Sequence, residues 1–284
     1  MLQNKLAAWL MIALAVMLMV AAFYRLEISE NTLMNSIFGV DYTHFFRPAS
    51  QTDAPYAVAG FYNPFWLLPL LWVFELFGEY RLAVWVVMNL CAFIYVFMRL
   101  KMPLWSILPF FVFSGALMSV FVGNVEGLVA FGMVLPLPLG IVVLMLKPQI
   151  GLALTLYYVL SAFVYDGWKR AVLILVPVLV LFTASFFLYG TWFLKPLEVI
   201  DRFYNTIYFF PIGVPVGLAL IVAGVARRNI GYALMAIPFT SPYMIFHTWA
   251  FPYMGVVLVL VREMSFLREL VRGRLLALRV QRDM

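Results

Sequence analysis

Charge is scarce in this chain: 11% of its 284 residues are charged and 65% are hydrophobic, against about 25% and roughly 45–50% in soluble domains. So little charge excludes a water-soluble fold, which needs a hydrated outer surface. Cysteine is scarcer still. The single Cys91 lies inside an apolar segment, so one chain can build neither a disulfide framework nor a cysteine-based metal site. Also missing are a glycine-rich nucleotide loop, a low-complexity linker, a convincing internal repeat and any stretch polar enough to form a soluble domain.

What the chain has instead is apolar length. No charged residue occurs between Leu6 and Tyr24, which at about 1.5 Å per residue comes close to the roughly 30 Å of a hydrocarbon core. The run is longer than the apolar region of a cleavable signal, so it reads as an uncleaved anchor. Further apolar runs recur at 82–98, 103–122, 141–165, 171–189, 211–226, 230–246 and 249–261. The expected architecture is an all-α polytopic transmembrane helical bundle of eight spans, with residues 1–264 forming the membrane domain.

Basic clusters mark the cytoplasmic ends of spans. Lys5, Arg99 with Lys101, Lys169 with Arg170, Arg227 with Arg228, and an arginine tail all fall on one side if the spans number eight. Both termini are then cytoplasmic in a multi-pass cell-membrane protein, and the outer face carries the 26–60 loop, the turn at 122–124 and the 190–210 loop. Two segments resist this count. Residues 61–80 read as re-entrant or as lying at the outer interface, and 124–148 is broken by Leu135-Pro136-Leu137-Pro138-Leu139-Gly140. Making both into full spans gives the rival count of ten and puts Arg99 and Lys101 outside. The net charge of +6 would suit a nucleic acid, but six arginines fall between Arg262 and Arg282, beside a membrane span. Residues 265–284 therefore read as a basic amphipathic cytoplasmic tail facing anionic lipid, not nucleic acid.

Candidate chemistry sits in two places. The 26–60 loop holds Asp41, His44, Arg47, Asp53 and Tyr56, followed by Tyr62 and Asn63; carboxylates with a cation nearby can supply a general base and a phosphate contact. A solvated loop with charges facing water is the plainer reading. More informative are Asn124 and Glu126, and Lys147 with Gln149, because ionisable groups that interrupt apolar runs are costly unless paired or hydrated. Glu126 and Lys147 can neutralise each other as an internal ion pair with no ligand. Asp41, Asp53 and His44 leave a divalent metal open, although their spacing matches no standard ligand pattern. His247 reads as an interface histidine near an aromatic belt.

The order of short motifs carries a resemblance. Asp41-x-x-x-Phe45-Phe46-x-x-Ala49, Pro55-Tyr56, Tyr62-Asn63-Pro64, Gly123-Asn124 and Lys147-Pro148-Gln149 together resemble the GT-C membrane glycosyltransferases. Among these the chain is most similar to glycosyltransferase family 87, the polyprenyl-phosphate-mannose-dependent mannosyltransferases and their relatives. The resemblance implies that Asp41 is the catalytic base and that Lys147 approaches the donor phosphate, with Arg47 or Arg202 of the outer loops adding positive charge. It implies a lipid-phosphate sugar, a hexose such as mannose, as donor, no further cofactor, and a glycan, lipid or protein as acceptor. Two features depart from the family: Gly-Gln is usual where this chain has Gly123-Asn124, and members usually carry more spans after the Lys-Pro-Gln break.

Two functions compete on this reading. One is sugar transfer from a polyprenyl-phosphate carrier at the extracytoplasmic face. The other is a non-enzymatic carrier or flippase of a lipid-linked or small solute, which would place its polar residues near the midplane and reach them from both sides. The candidates cluster toward one face, which favours the enzyme.

Overall fold

The computed structural model describes residues 38–195, 209–242 and 244–265. The expected first span, Arg202 and nearly all of the basic tail lie outside the described residues. Every regular element among the described residues is helical. Three helices, Gly78–Arg99, Pro148–Asp166 and Trp168–Tyr189, are long and apolar enough to cross a membrane; Val214–Arg227 and Ile230–Thr240 are shorter apolar helices.

The chain enters through α1 (40–50), whose middle is a π-turn at Tyr42–Phe46. A short helix at Phe65–Glu75 follows, of which α2 is Leu68–Glu75. At about 1.5 Å per residue its 11 residues reach only about 16 Å, too little to cross a hydrocarbon core. Its outer side keeps Trp72 exposed, and Leu76 and Phe77 just beyond it are exposed as well. Next comes α3 (Arg81–Arg99).

The run at 103–122 does not form one helix. It splits into α4 (Ile107–Phe113) and α5 (Ala116–Phe121), because Gly115 takes a left-handed conformation (φ 78°) that residues with a side chain rarely adopt. The sequence expectation of an unbroken span is corrected here. A Cβ on Gly115 would sit 2.5 Å from the Phe246 carbonyl oxygen and 2.7 Å from His247 Cα, so the break admits a second piece of backbone.

The segment 124–148 folds as a hairpin of two short helices, α6 (Glu126–Gly132) and α7 (Leu137–Leu144), each only 7 or 8 residues long. Pro136 and Pro138 start the return arm at a position where a missing N–H costs little. The two arms touch at Gly132 and Gly140, where a Cβ on Gly140 would stand 2.5 Å from the Gly132 carbonyl oxygen. Backbone left open by the hairpin finds donors from outside it: Tyr158 Oη bonds Met133 O at 3.1 Å and Trp66 Nε1 bonds Val142 O at 3.2 Å. Irregular backbone is tolerated in an apolar setting when protein covers it in this way.

Five further helices follow the hairpin. They are α8 (Pro148–Asp166), α9 (Trp168–Tyr189), α10 (Val214–Arg227), α11 (Ile230–Thr240) and α12 (250–265). Asn229 caps α11 by accepting from Gly231 N at 2.9 Å. The run expected over 230–246 ends at Thr240, where Ser241 turns extended. Contacts of α10 with α11, α8 with α11, and α3 with α6 build the main core, in which Trp85, Phe93, Phe97, Phe110 and Phe251 are fully buried, while α7, α8 and α9 enclose a smaller one around Ile141, Ala162 and Ile174. The outward side is apolar too: Leu108, Phe113, Val180, Phe187 and Ile212 are all well exposed.

Candidate functional site

Four polar residues predicted from the sequence meet at the mouth of the hairpin. Asn124 is the hub. Its Nδ2 donates to Asp41 Oδ2 at 2.5 Å, while its Oδ1 accepts from Lys147 Nζ at 3.2 Å and from Val125 N at 2.7 Å. Lys147 also forms an ion pair with Glu126 Oε1, and Ser119 Oγ donates to Glu126 Oε2. Glu126 is 0% exposed and Lys147 4%. The Glu126–Lys147 pair is thus present, and it is joined to Asn124 rather than isolated.

Local structure explains why these side chains converge. Gly39 N and Asp41 N bond the Phe121 and Val122 carbonyls at 2.9 and 2.8 Å, which ties the start of α1 to the 122–124 turn. Trp85 Nε1 holds the Gly123 carbonyl at 2.7 Å. On the other arm Lys147 is extended (φ −133°, ψ 85°), as a residue before proline prefers. Asn63 Nδ2 donates to Leu146 O at 2.8 Å, and Tyr56 Oη donates to Asn63 O at 3.2 Å. Asn63 and Tyr56 therefore brace the backbone that presents Lys147.

His247 completes the cluster, and the sequence reading missed it. Its Nε2 lies 3.1 Å from Glu126 Oε1, 3.3 Å from Asn124 Nδ2 and 3.4 Å from Lys147 Nζ. With a proton on Nε2 the ring donates to Glu126; without one it accepts from Asn124 or Lys147. The interface-histidine expectation is corrected by its burial at 7% exposure. No local signal announces this, because 123 residues separate His247 from Asn124 and only the break at Gly115 lets the 246–249 turn in. Ser119 was missed as well.

Other predicted residues stand elsewhere. Arg47 Nε pairs with Glu75 Oε1 at 3.1 Å, and Arg81 approaches the same carboxylate at 3.9 Å. His44 is exposed, its Nδ1 3.1 Å from Thr43 Oγ1 and 3.3 Å from Val40 O. Asp53 is exposed in the loop after α1. Among the described residues no three of His, Cys, Asp and Glu gather as a metal site.

Tyr62 and Gln149 line a cavity of about 240 Å³, together with Pro148, Phe182, Trp192 and Phe193. Its wall begins at the residue directly after Lys147. Aromatic contacts reinforce it: Trp192 stacks on Tyr56 at 5.1 Å and on Phe182 at 6.0 Å.

Asp41 is the least buried member of the cluster and forms its outer end. Burial pushes its carboxyl above the ordinary carboxylate range; His247 and Lys147 pull it back in part, Glu126 adds to the rise, and the Asn124 hydrogen bond favours the charged form. The cations that matter to Asp41 are therefore not Arg47, whose guanidinium is engaged by Glu75. The arrangement joins a half-open carboxylate of raised basicity to a fixed ammonium through one amide. The chain matches no family model, no curated protein and no solved structure.

Proposed function

We propose that the protein is a multi-pass membrane glycosyltransferase that moves a hexose such as mannose from a polyprenyl phosphate to an acceptor hydroxyl at the extracytoplasmic face. The observation that carries this reading is the Asn124 bridge, which holds a carboxylate and a buried ammonium at opposite ends of one side chain. In the reaction the acceptor oxygen bonds to the sugar C1 as the bond from C1 to the phosphate oxygen breaks. The acceptor proton passes to Asp41, and the negative charge left on the phosphate develops beside Lys147, which stabilises it as a fixed charge. Asn124 keeps the two groups in register, Glu126 and His247 hold the ammonium, and the aromatic cavity beyond Lys147 offers apolar surface to the donor.

Membrane residence is supported by the three long apolar helices and by the apolar outward faces of the bundle. The two ends of α8 support a sidedness. Lys147 precedes its first turn, whereas Asp166, Lys169, Arg170 and Arg228, whose guanidinium lies over the Tyr165 ring, gather at its last. Nineteen residues separate these ends by about 28 Å, close to a hydrocarbon thickness. Putting the basic end inside leaves Asp41 and Lys147 facing out, with the termini cytoplasmic. A one-ended polar cluster favours an enzyme over an alternating-access carrier.

The test uses purified protein, a radiolabelled polyprenyl-phosphate hexose and a panel of acceptors. Asp41→Asn is expected to lower transfer by about 10²–10⁴-fold, the usual worth of a positioned base, while Asp53→Asn leaves it unchanged. Equal transfer by wild type and Asp41→Asn rejects the assignment, and no transfer to any acceptor moves the reading to the carrier.

A further inference from the structure

At the far end of α8 from Lys147, the last turns of α10 and α12 enclose a second site. Its cavity of about 340 Å³ is lined by Ala226, Arg227, Arg228, Arg262 and Glu263. Three guanidiniums face one carboxylate, so two positive charges are left over. Each arginine is held. Arg227 Nη1 donates to Glu263 Oε1 at 2.9 Å, a carboxylate shared with Tyr232 Oη at 3.3 Å. Arg262 Nη1 donates to the Arg228 carbonyl at 2.8 Å. Arg228 ends α10 in the left-handed region (φ 49°) with its guanidinium 4.1 Å from the centre of the Tyr165 ring. These contacts use few of the five N–H donors on each guanidinium, and the rest are available in a fixed concave array.

We infer that this pocket binds the phosphate of an anionic phospholipid, with preference for a headgroup carrying two negative charges. In the membrane reading proposed above, this end of α8 and α10 is where the apolar helices reach headgroup depth. Planar guanidiniums suit phosphate oxygens, and basic pockets between helices at this level take anionic lipids. Its excess of two positive charges matches a phosphate monoester, which carries about −1.5 to −2 at neutral pH. The sequence after α12 is basic as well, with five arginines against Glu269 and Asp283 over 266–284. This inference stands whatever chemistry occurs at Asp41.

Lipid retention by the full chain decides it. Protein purified in mild detergent is mixed with phosphatidic acid, phosphatidylglycerol and phosphatidylcholine in equal amounts, and bound lipid is counted by native mass spectrometry. Wild type is expected to keep phosphatidic acid above phosphatidylglycerol, and both above phosphatidylcholine. Arg228→Gln and Arg262→Gln each weaken retention about fivefold, the worth of one basic side chain near an anionic surface. Glu263→Gln strengthens it, an opposite sign that a loosened fold would not produce. Arg170→Gln, at the same end of α8 but not in the pocket lining, weakens it less than Arg228→Gln or Arg262→Gln. Unaltered retention in Arg228→Gln and Arg262→Gln, or an equal loss in Arg170→Gln, overturns the pocket. Full competition by millimolar inorganic phosphate makes it a site for soluble anions instead.

Discussion

The carboxylate of Asp41 and the ammonium of Lys147 are bound by the two ends of the same amide, with Asn124 donating to the first at 2.5 Å and accepting from the second at 3.2 Å. Neither group can shift without disturbing the other. The bridge spans an 83-residue separation on one side and 23 on the other, so it also ties α1, the 122–124 turn and the start of α8 into one unit.

Asp41 should trade stability for function. Its folded pKa is raised by burial, so the stability it contributes is fully present below the ordinary carboxylate pKa and is lost as pH rises through the raised value. Asp41→Asn, which keeps an acceptor for Asn124 and carries no charge, is therefore expected to melt at the same temperature as wild type or higher at pH 7. The difference should shrink toward zero as pH falls below about 4. A variant that melts lower at pH 7 and recovers in acid would show that the ionised carboxylate is stabilising.

The Glu126–Lys147 pair is buried, so removing one partner should cost more than removing both. Lys147→Met removes the ammonium from Glu126, leaving Ser119 and His247 as its partners, and is expected to destabilise the fold by up to about 3–5 kcal/mol, whereas Glu126→Leu combined with Lys147→Met should recover much of that loss. Chemical unfolding in detergent micelles measures both. Additive losses would mean that the two charges do not depend on each other.

Asn124→Ala removes a donor from Asp41 and an acceptor from Lys147 while leaving both buried. We expect a loss of about 1–3 kcal/mol together with a fall in transfer. Asn124→Asp should be worse for transfer at neutral pH, since it puts a second carboxylate against Asp41 in place of the amide donor. Transfer by Asn124→Asp at the wild-type rate would remove the bridge from the mechanism.

Two glycines separate backbone conformation from close approach. Gly115 and Gly167 both have positive φ, but a Cβ on Gly115 would strike Phe246 and His247, whereas one on Gly167 meets nothing within 4 Å. Gly167→Ala is expected to cost about 1 kcal/mol for conformation alone. Gly115→Ala should cost clearly more and should lower transfer through His247. Equal melting temperatures for the two variants would contradict the close packing of 246–249 against the break.

Hydropathy and punctuation alone determined which stretches are apolar and where proline breaks them. The Pro-rich stretch at 135–140 and the Lys147-Pro148 step mark breaks in any apolar helix, because proline removes a donor and restricts its predecessor. The mutual need of Glu126 and Lys147 follows from the cost of a lone charge in an apolar run. Partner choice belongs to the tertiary structure. Arg47 lies six residues from Asp41 yet answers to Glu75, and His247 lies far along the chain yet touches three members of the cluster. Hydropathy averages over a window and carries no record of a left-handed glycine or of a turn slotted into the break it makes. Side-chain pairing in an apolar interior is fixed by depth and facing, and both arise only when the helices pack.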